Sequence, residues 1–119
     1  DVAGKDVIVL DDEIATGGSM VELMDRLRDA GATEAAVVCT HGLFAGKAVE
    51  RLRGHPFVTE VVSTDTVPRP ADWPELAALS VAGLFAEAIE RIHNGRSISK
   101  MFLDVDPAYA PPAQPEGLF

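Results

Sequence analysis

Cysteine, positive charge and long apolar runs are all scarce in this 119-residue sequence, and each scarcity closes off a class of protein. The single cysteine, Cys39, has no partner for an intramolecular disulfide, which fits a reducing compartment. Set inside an apolar run, it reads as a small buried core residue. Lys and Arg number 10 against 19 Asp and Glu, a formal net charge of −9. Unspecific binding to nucleic acid or to an anionic membrane needs clustered cations, so neither is expected as a partner. No run approaches the roughly 20 apolar residues of a membrane-spanning helix, and nothing has the pattern of a signal peptide. The expectation is a soluble, cytoplasmic protein. With one cysteine and three separated histidines, His41, His55 and His93, there is no ligand cluster for zinc.

Apolar side chains are abundant, at 47% of residues, enough for one small domain to bury a core. The chain opens at Asp1 rather than Met and runs almost at once into a strand-like segment, which suggests a piece of something longer. Asp6 to Leu10 is a continuous apolar run of the kind buried on both faces of a parallel sheet. Ser19 to Ala30 carries Met20, Leu23, Met24 and Leu27 at the spacing of one helix face, with Gly31 to stop it. Ala35 to Cys39 repeats the strand pattern, Gly46 to Arg53 reads as a short helix, and "VTEVVSTDT" as a third strand. After the proline-rich "VPRPADWPE", in which Trp73 reads as a loop anchor, "LAALSVA" is a candidate fourth strand. Val81 to His93 is a helix ending at Asn94-Gly95, and its stripe of Leu84, Phe85, Ile89 and Ile92 reads as core or subunit interface. Alternating strands and helices predict an α/β fold with right-handed crossovers. From Pro107 the sequence is rich in proline and alanine and reads as a poorly ordered tail, in which Tyr109, Leu118 and Phe119 could dock on a neighbour.

The chemistry concentrates in "VIVLDDEIATGGSM", Val7 to Met20. Ligands of parallel α/β sheets bind outside the carboxyl ends of strands, and Asp11 and Asp12 are expected at such an end. Adjacent carboxylates are costly to bury together, so they face solvent, a cation or sugar hydroxyls. Gly17 and Gly18 let the backbone bend and approach a ligand, while Thr16 and Ser19 offer hydroxyls where a helix begins. The exposed amides of that first turn favour an anion. Either half alone has a plainer explanation, a solvated strand end or a turn with Ser19 as helix cap. Together, between a strand and a helix, they suit a ligand with a phosphate at one end and vicinal hydroxyls plus a metal at the other. A ribose phosphate has that shape. The stretch "GLFAGKA" superficially suggests a nucleotide-binding loop, but it is one residue short and ends in Ala48 where Ser or Thr is needed.

"VIVLDDEIATGGSM" resembles the ribose-phosphate binding motif of type I phosphoribosyltransferases. The stretches "GKDVIVLDDEIATGG", "CTHGLFAGKAVERL", "EVVSTDTVP", "LSVAGLFAEAIERIH" and "SISKMF", in that order from Gly4 to Phe102, narrow the resemblance to the ribose-phosphate pyrophosphokinases. That resemblance implies a three-layer α/β/α fold with a mostly parallel sheet, present as a partial domain. It implies a phosphoribosyltransferase-like segment over 1–103, the carboxy-terminal part of such an enzyme, followed by a tail over 104–119. It further implies transfer of diphosphate from ATP to ribose 5-phosphate with magnesium, in a homo-oligomer. Carried over by position, Asp11 and Asp12 hold the ribose hydroxyls and help organise the metal, and Thr16, Gly17, Gly18 and Ser19 bind the 5-phosphate. Ser97 and Ser99 match a region near a regulatory phosphate or ADP site between subunits.

Departures from the pattern set the expectations apart from those for a whole enzyme. Ala15 stands where the motif commonly has a third carboxylate, while Ser19 for threonine keeps the hydroxyl. The family's amino-terminal half, with most of the ATP site and a basic catalytic loop, has no counterpart here, so no catalytic residue is assigned. The expectation is a chain that binds but hardly catalyses. Alternatives are a noncatalytic homologue that binds ribose phosphate or regulates a catalytic partner, and an ordinary phosphoribosyltransferase. A response-regulator receiver is a poorer match, because the second strand ends in Thr40-His41 rather than an aspartate.

Overall fold

The apolar run after Asp6 forms strand β1, Val7–Ile14, which continues through both aspartates and Glu13 instead of stopping at Leu10. The continuation follows from its neighbour. Strand β2, Ala35–Gly42, is also longer than the apolar run that predicts it, and it pairs in parallel with β1 as far as Asp11↔Cys39, Glu13↔His41 and Ile14↔Gly42. A ladder partner on one side is enough to keep polar residues extended, because the bonds come from the backbone. This computed structural model describes residues 1–103; the tail over 104–119, with Tyr109, Leu118 and Phe119, lies outside the described residues.

Helix α1, Gly18–Asp29, links β1 to β2, and Gly31 in the left-handed region (φ 88°) turns the chain out of it. Helix α2, Ala48–Arg53, leads to strand β3, Val58–Thr64, and the proline-rich loop leads to a three-residue strand β4, Ala77–Leu79. The four strands lie in the order β1-β2-β3-β4, all parallel, which is the α/β architecture read from the alternation of elements. A register shift between Ala35 and Ala36 against β3 is bridged by the Thr59 hydroxyl, which donates to the Ala35 carbonyl at 3.2 Å.

The chain divides into two compact units between Val81 and Ala82. In the first, Met20 and Met24 of α1 and Ala48, Val49 and Leu52 of α2 pack on Ala35, Val37 and Cys39 of β2 and Val61 of β3. Both helices therefore cover the same face of the sheet. Side chains alternate along a strand, so Ile8 and Leu10 fall on the opposite face, where they are 72% and 76% exposed. The expectation that this run is buried on both faces is thus corrected for β1. Trp73 is buried as the anchor of its loop, its ring edge-on to Phe44 at 5.3 Å.

The second unit carries helix α3, Ala82–His93, and the short helix α4, Lys100–Leu103. Gly95 (φ 63°) ends α3, as Asn94-Gly95 predicts. None of its residues is buried, and Leu84, Phe85, Ile89 and Ile92 are half exposed or more. The stripe expected as core or interface is not core among the described residues. Amphipathic spacing states that a helix can bury a face, not what it is buried against.

Candidate functional site

The loop from Ile14 to Ser19 is held by its carbonyls. Ile14 O accepts the N–H groups of both Leu43 (3.0 Å) and Phe44 (3.1 Å), and Ala15 O accepts that of Ala45 (2.8 Å). Thr16 O accepts from the Arg51 guanidinium at 2.9 Å, and Gly17 O from the N–H of Val21 at 3.0 Å. Convergence of two successive amides on one oxygen bends the chain after β2 sharply, and Phe44 sits there at φ 46°, a costly backbone for a bulky residue. Gly17 is left-handed as well (φ 70°), and a Cβ on it would lie 3.5 Å from the Cα and Cβ of Ala48. The consequence is an asymmetry. With the carbonyls tied back to the protein, the N–H groups of residues 15–20 have no protein acceptor among the described residues.

Gly17 is the residue at the start of α1, and no side chain among the described residues caps the helix, so Ser19 does not serve as the cap that a plain turn would require. The free amides, the helix dipole and the hydroxyls of Thr16 and Ser19 make a cup suited to an anion. A cavity of about 140 Å³ opens there, lined by Asp11, Glu13, Ile14, Ala15, Thr16, Gly17, Ser19 and Met20. Of the residues expected in the site, Asp11, Thr16, Gly17 and Ser19 line this cavity. Gly18, the first residue of α1, and Asp12 do not line it; the Asp12 N–H donates to Asp11 Oδ1 at 2.8 Å. Glu13 was passed over in the sequence. The signal that finds it is the two-residue period of a strand, which sets Glu13 on the side of Asp11 once β1 is known to extend that far.

Other titratable groups have settled roles. Burial pushes the Cys39 thiol up to about 11, the nearby charge of Asp11 adding to the effect, so the thiol stays protonated and inert. The Asp65 carboxylate is held below its usual range by the Ser80 side chain first and then by the Val81 N–H at 2.8 Å, a turn role. His41, the residue before the last of β2, has its Nδ1 2.8 Å from the Thr66 hydroxyl. A larger cavity of about 280 Å³ lies between Leu52, Trp73 and Leu76 and contains the Arg53–Glu75 ion pair, but none of the loop residues lines it. Ser97 and Ser99 belong to the second unit, where their carbonyls accept from Arg91 Nη1 and the Phe102 N–H.

A family model described as the phosphoribosyl synthetase-associated domain matches residues 1–103. The chain belongs to that family. It is 56% identical over 110 residues to a Streptomyces coelicolor protein whose name assigns it provisionally to the ribose-phosphate pyrophosphokinases, covering 91% of this chain and 34% of that protein. It is 48% identical over 104 residues to the ribose-phosphate pyrophosphokinase of Caldanaerobacter subterraneus, covering 86% and 33%. The crystal structure of phosphoribosylpyrophosphate synthetase from Mycobacterium smegmatis superposes with a TM-score of 0.75 at 36% identity, over 80% of this chain and 32% of that one. This phosphoribosyl synthetase-associated chain thus spans about a third of the length of the relatives it matches, a partial domain of their fold.

Proposed function

We propose that this chain supplies the ribose 5-phosphate site of a ribose-phosphate pyrophosphokinase, as its carboxy-terminal part. The observation that carries the reading is the loop in which every carbonyl from Ile14 to Gly17 is bound to protein while the N–H groups of residues 15–20 have no acceptor among the described residues. A phosphate offers several acceptor oxygens and the negative charge that a helix start favours. On this reading Thr16, Gly17, Gly18 and Ser19 bind the 5-phosphate, and the carboxylates of Asp11 and Asp12 accept from the ribose hydroxyls. The sugar is then fixed at both ends, which orients its anomeric hydroxyl for attack on a phosphoryl donor.

Magnesium fits the donor set. Among the described residues no group of three or more His, Cys, Asp and Glu side chains is gathered into a cage. Magnesium does not need one, since it keeps several waters and takes one or two carboxylates together with substrate phosphates. Asp11 and Asp12 would hold it, directly or through water. When bound, the ion would neutralise charge on the transferring phosphates. On the same reading ATP and the remaining catalytic groups belong to parts of the full-length enzyme other than this chain. The exposed apolar residues of α3 favour assembly with copies of itself, and Ser97 and Ser99 lie near a regulatory anion site between subunits. No described helix is long and apolar enough to cross a membrane; the enzyme works in the cytoplasm.

A second reading, a noncatalytic homologue that binds ribose phosphate or regulates a catalytic partner, is favoured by Ala15, which lines the cup where a carboxylate would suit transfer chemistry. Calorimetric titration of the 119-residue chain with ribose 5-phosphate and magnesium, beside an Asp11→Asn, Asp12→Asn double variant, tests the site. Saturable binding lost in the variant is expected. Absence of binding by the folded chain overturns it. Turnover of ATP by the full-length protein then separates the enzyme from the noncatalytic homologue.

A further inference from the structure

Arg51 is set apart from most other cations of the molecule. The guanidinium groups of Arg26, Arg28, Arg53, Arg91 and Arg96 all pair with carboxylates. Arg51 pairs with none among the described residues, in a chain of net charge −9. It reaches instead from the last turn of α2 to the β1–α1 loop, where Nη1 donates to the Thr16 carbonyl at 2.9 Å. The same nitrogen lies 3.8 Å from the point that a Cβ on Gly18 would occupy. Ile14, Ala15 and Gly17 are bound by backbone amides, so among the described residues Arg51 is the one side chain that ties down a loop carbonyl. A guanidinium has five N–H donors, and the bond to Thr16 uses one.

We propose that Arg51 is a positioning residue for the anion cup: it clamps the Thr16 peptide so that the following amides face the ligand, and it sets a permanent positive charge behind them. This inference rests on the reading of the cup as a phosphate site and adds the residue that fixes its shape and its preference for charge. The pairing also explains why α2 sits so close to the loop. Ala48, in the first turn of α2, lies 3.5 Å from the point that a Cβ on Gly17 would occupy, and Arg51 reaches the loop one turn further on.

The test uses the 119-residue chain with ribose 5-phosphate, ribose and inorganic phosphate as probes, with Arg51→Met, Arg51→Gln and Arg51→Lys variants checked for folding by thermal melting. Arg51→Met is expected to weaken ribose 5-phosphate about tenfold, the effect of losing a hydrogen bond to a charged group. It should also flatten the dependence of that affinity on salt, and leave binding of unphosphorylated ribose unchanged. Arg51→Gln, which keeps a donor but not the charge, should share the flattened salt dependence, and Arg51→Lys should restore it. Chemical shifts of the Gly17, Gly18 and Ser19 amides on addition of inorganic phosphate should move less in Arg51→Met than in the parent. If the parent binds and Arg51→Met binds ribose 5-phosphate equally well with the same salt dependence, the role of Arg51 is overturned and the cup stands. If the folded parent binds neither ribose 5-phosphate nor phosphate, the cup itself is overturned and Arg51 with it.

Discussion

Helices α1 and α3 have twelve residues each, and α3 is the more apolar to read, yet α1 buries Met20 and Met24 while α3 buries nothing. The difference is one of surroundings. α1 follows a strand through a loop pinned at four carbonyls, so its apolar face is delivered onto the sheet. α3 opens the second unit and presents Phe85 and Ile89 to solvent at 58% and 66% exposure. An apolar stripe is a demand for a partner; the covalent and hydrogen-bonded approach to the helix decides whether that partner is at hand.

The contrast can be broken by substitution. Met24→Ala should have the largest effect, destabilising the chain by about 2–5 kcal/mol in urea unfolding, because the side chain is wholly buried and the space cannot be refilled. Phe85→Ala should stay within about 0.5 kcal/mol at concentrations where the chain is monomeric, as for an exposed position. An equal loss from both would show that α3 is covered in solution, and the two helices would no longer differ. Next, Gly17→Ala should cost about 1–2 kcal/mol in thermal unfolding for a left-handed backbone, with Ala48 close behind it. Gly18→Ala, with no left-handed backbone and nothing nearer than 3.8 Å, should be near neutral, which sharpens the assignment of strain to one glycine.

The smallest effect belongs to Asp65, which holds Ser80 and Val81 just ahead of α3. Its folded-state pKa lies below the ordinary 3.8, so the carboxylate contributes stability that is present above that value and lost as pH falls through the lower one. The acid limb of the stability curve should therefore be shallower in Asp65→Asn than in the parent, with no difference in slope at neutral pH. An identical acid limb would remove this hold on the residues leading into α3.

Much of this was legible in the sequence. Apolar runs and helical spacing are local signals, so the order of strands and helices, the loop at Thr16 to Ser19 and the loop anchor Trp73 could be read directly. The end of β1 could not. Asp11, Asp12 and Glu13 are extended because Cys39 to Gly42 lies alongside, a pairing between distant segments that no local pattern states. Glu13 was missed for that reason, and the exposure of Ile8 and Leu10 follows from the placement of both first-unit helices on one face. Arg51 was hidden for the same cause: nothing around it in α2 announces Thr16 as its partner.

The carbonyl ties of the loop have a consequence for motion. The amides of Leu43, Phe44 and Ala45 donate to Ile14 and Ala15, so they can trade hydrogen for deuterium only when the β1–α1 turn lifts away from them. Their exchange rates are a built-in gauge of how often the cup comes apart. A ligand that grips the cup should slow them without touching any of the three.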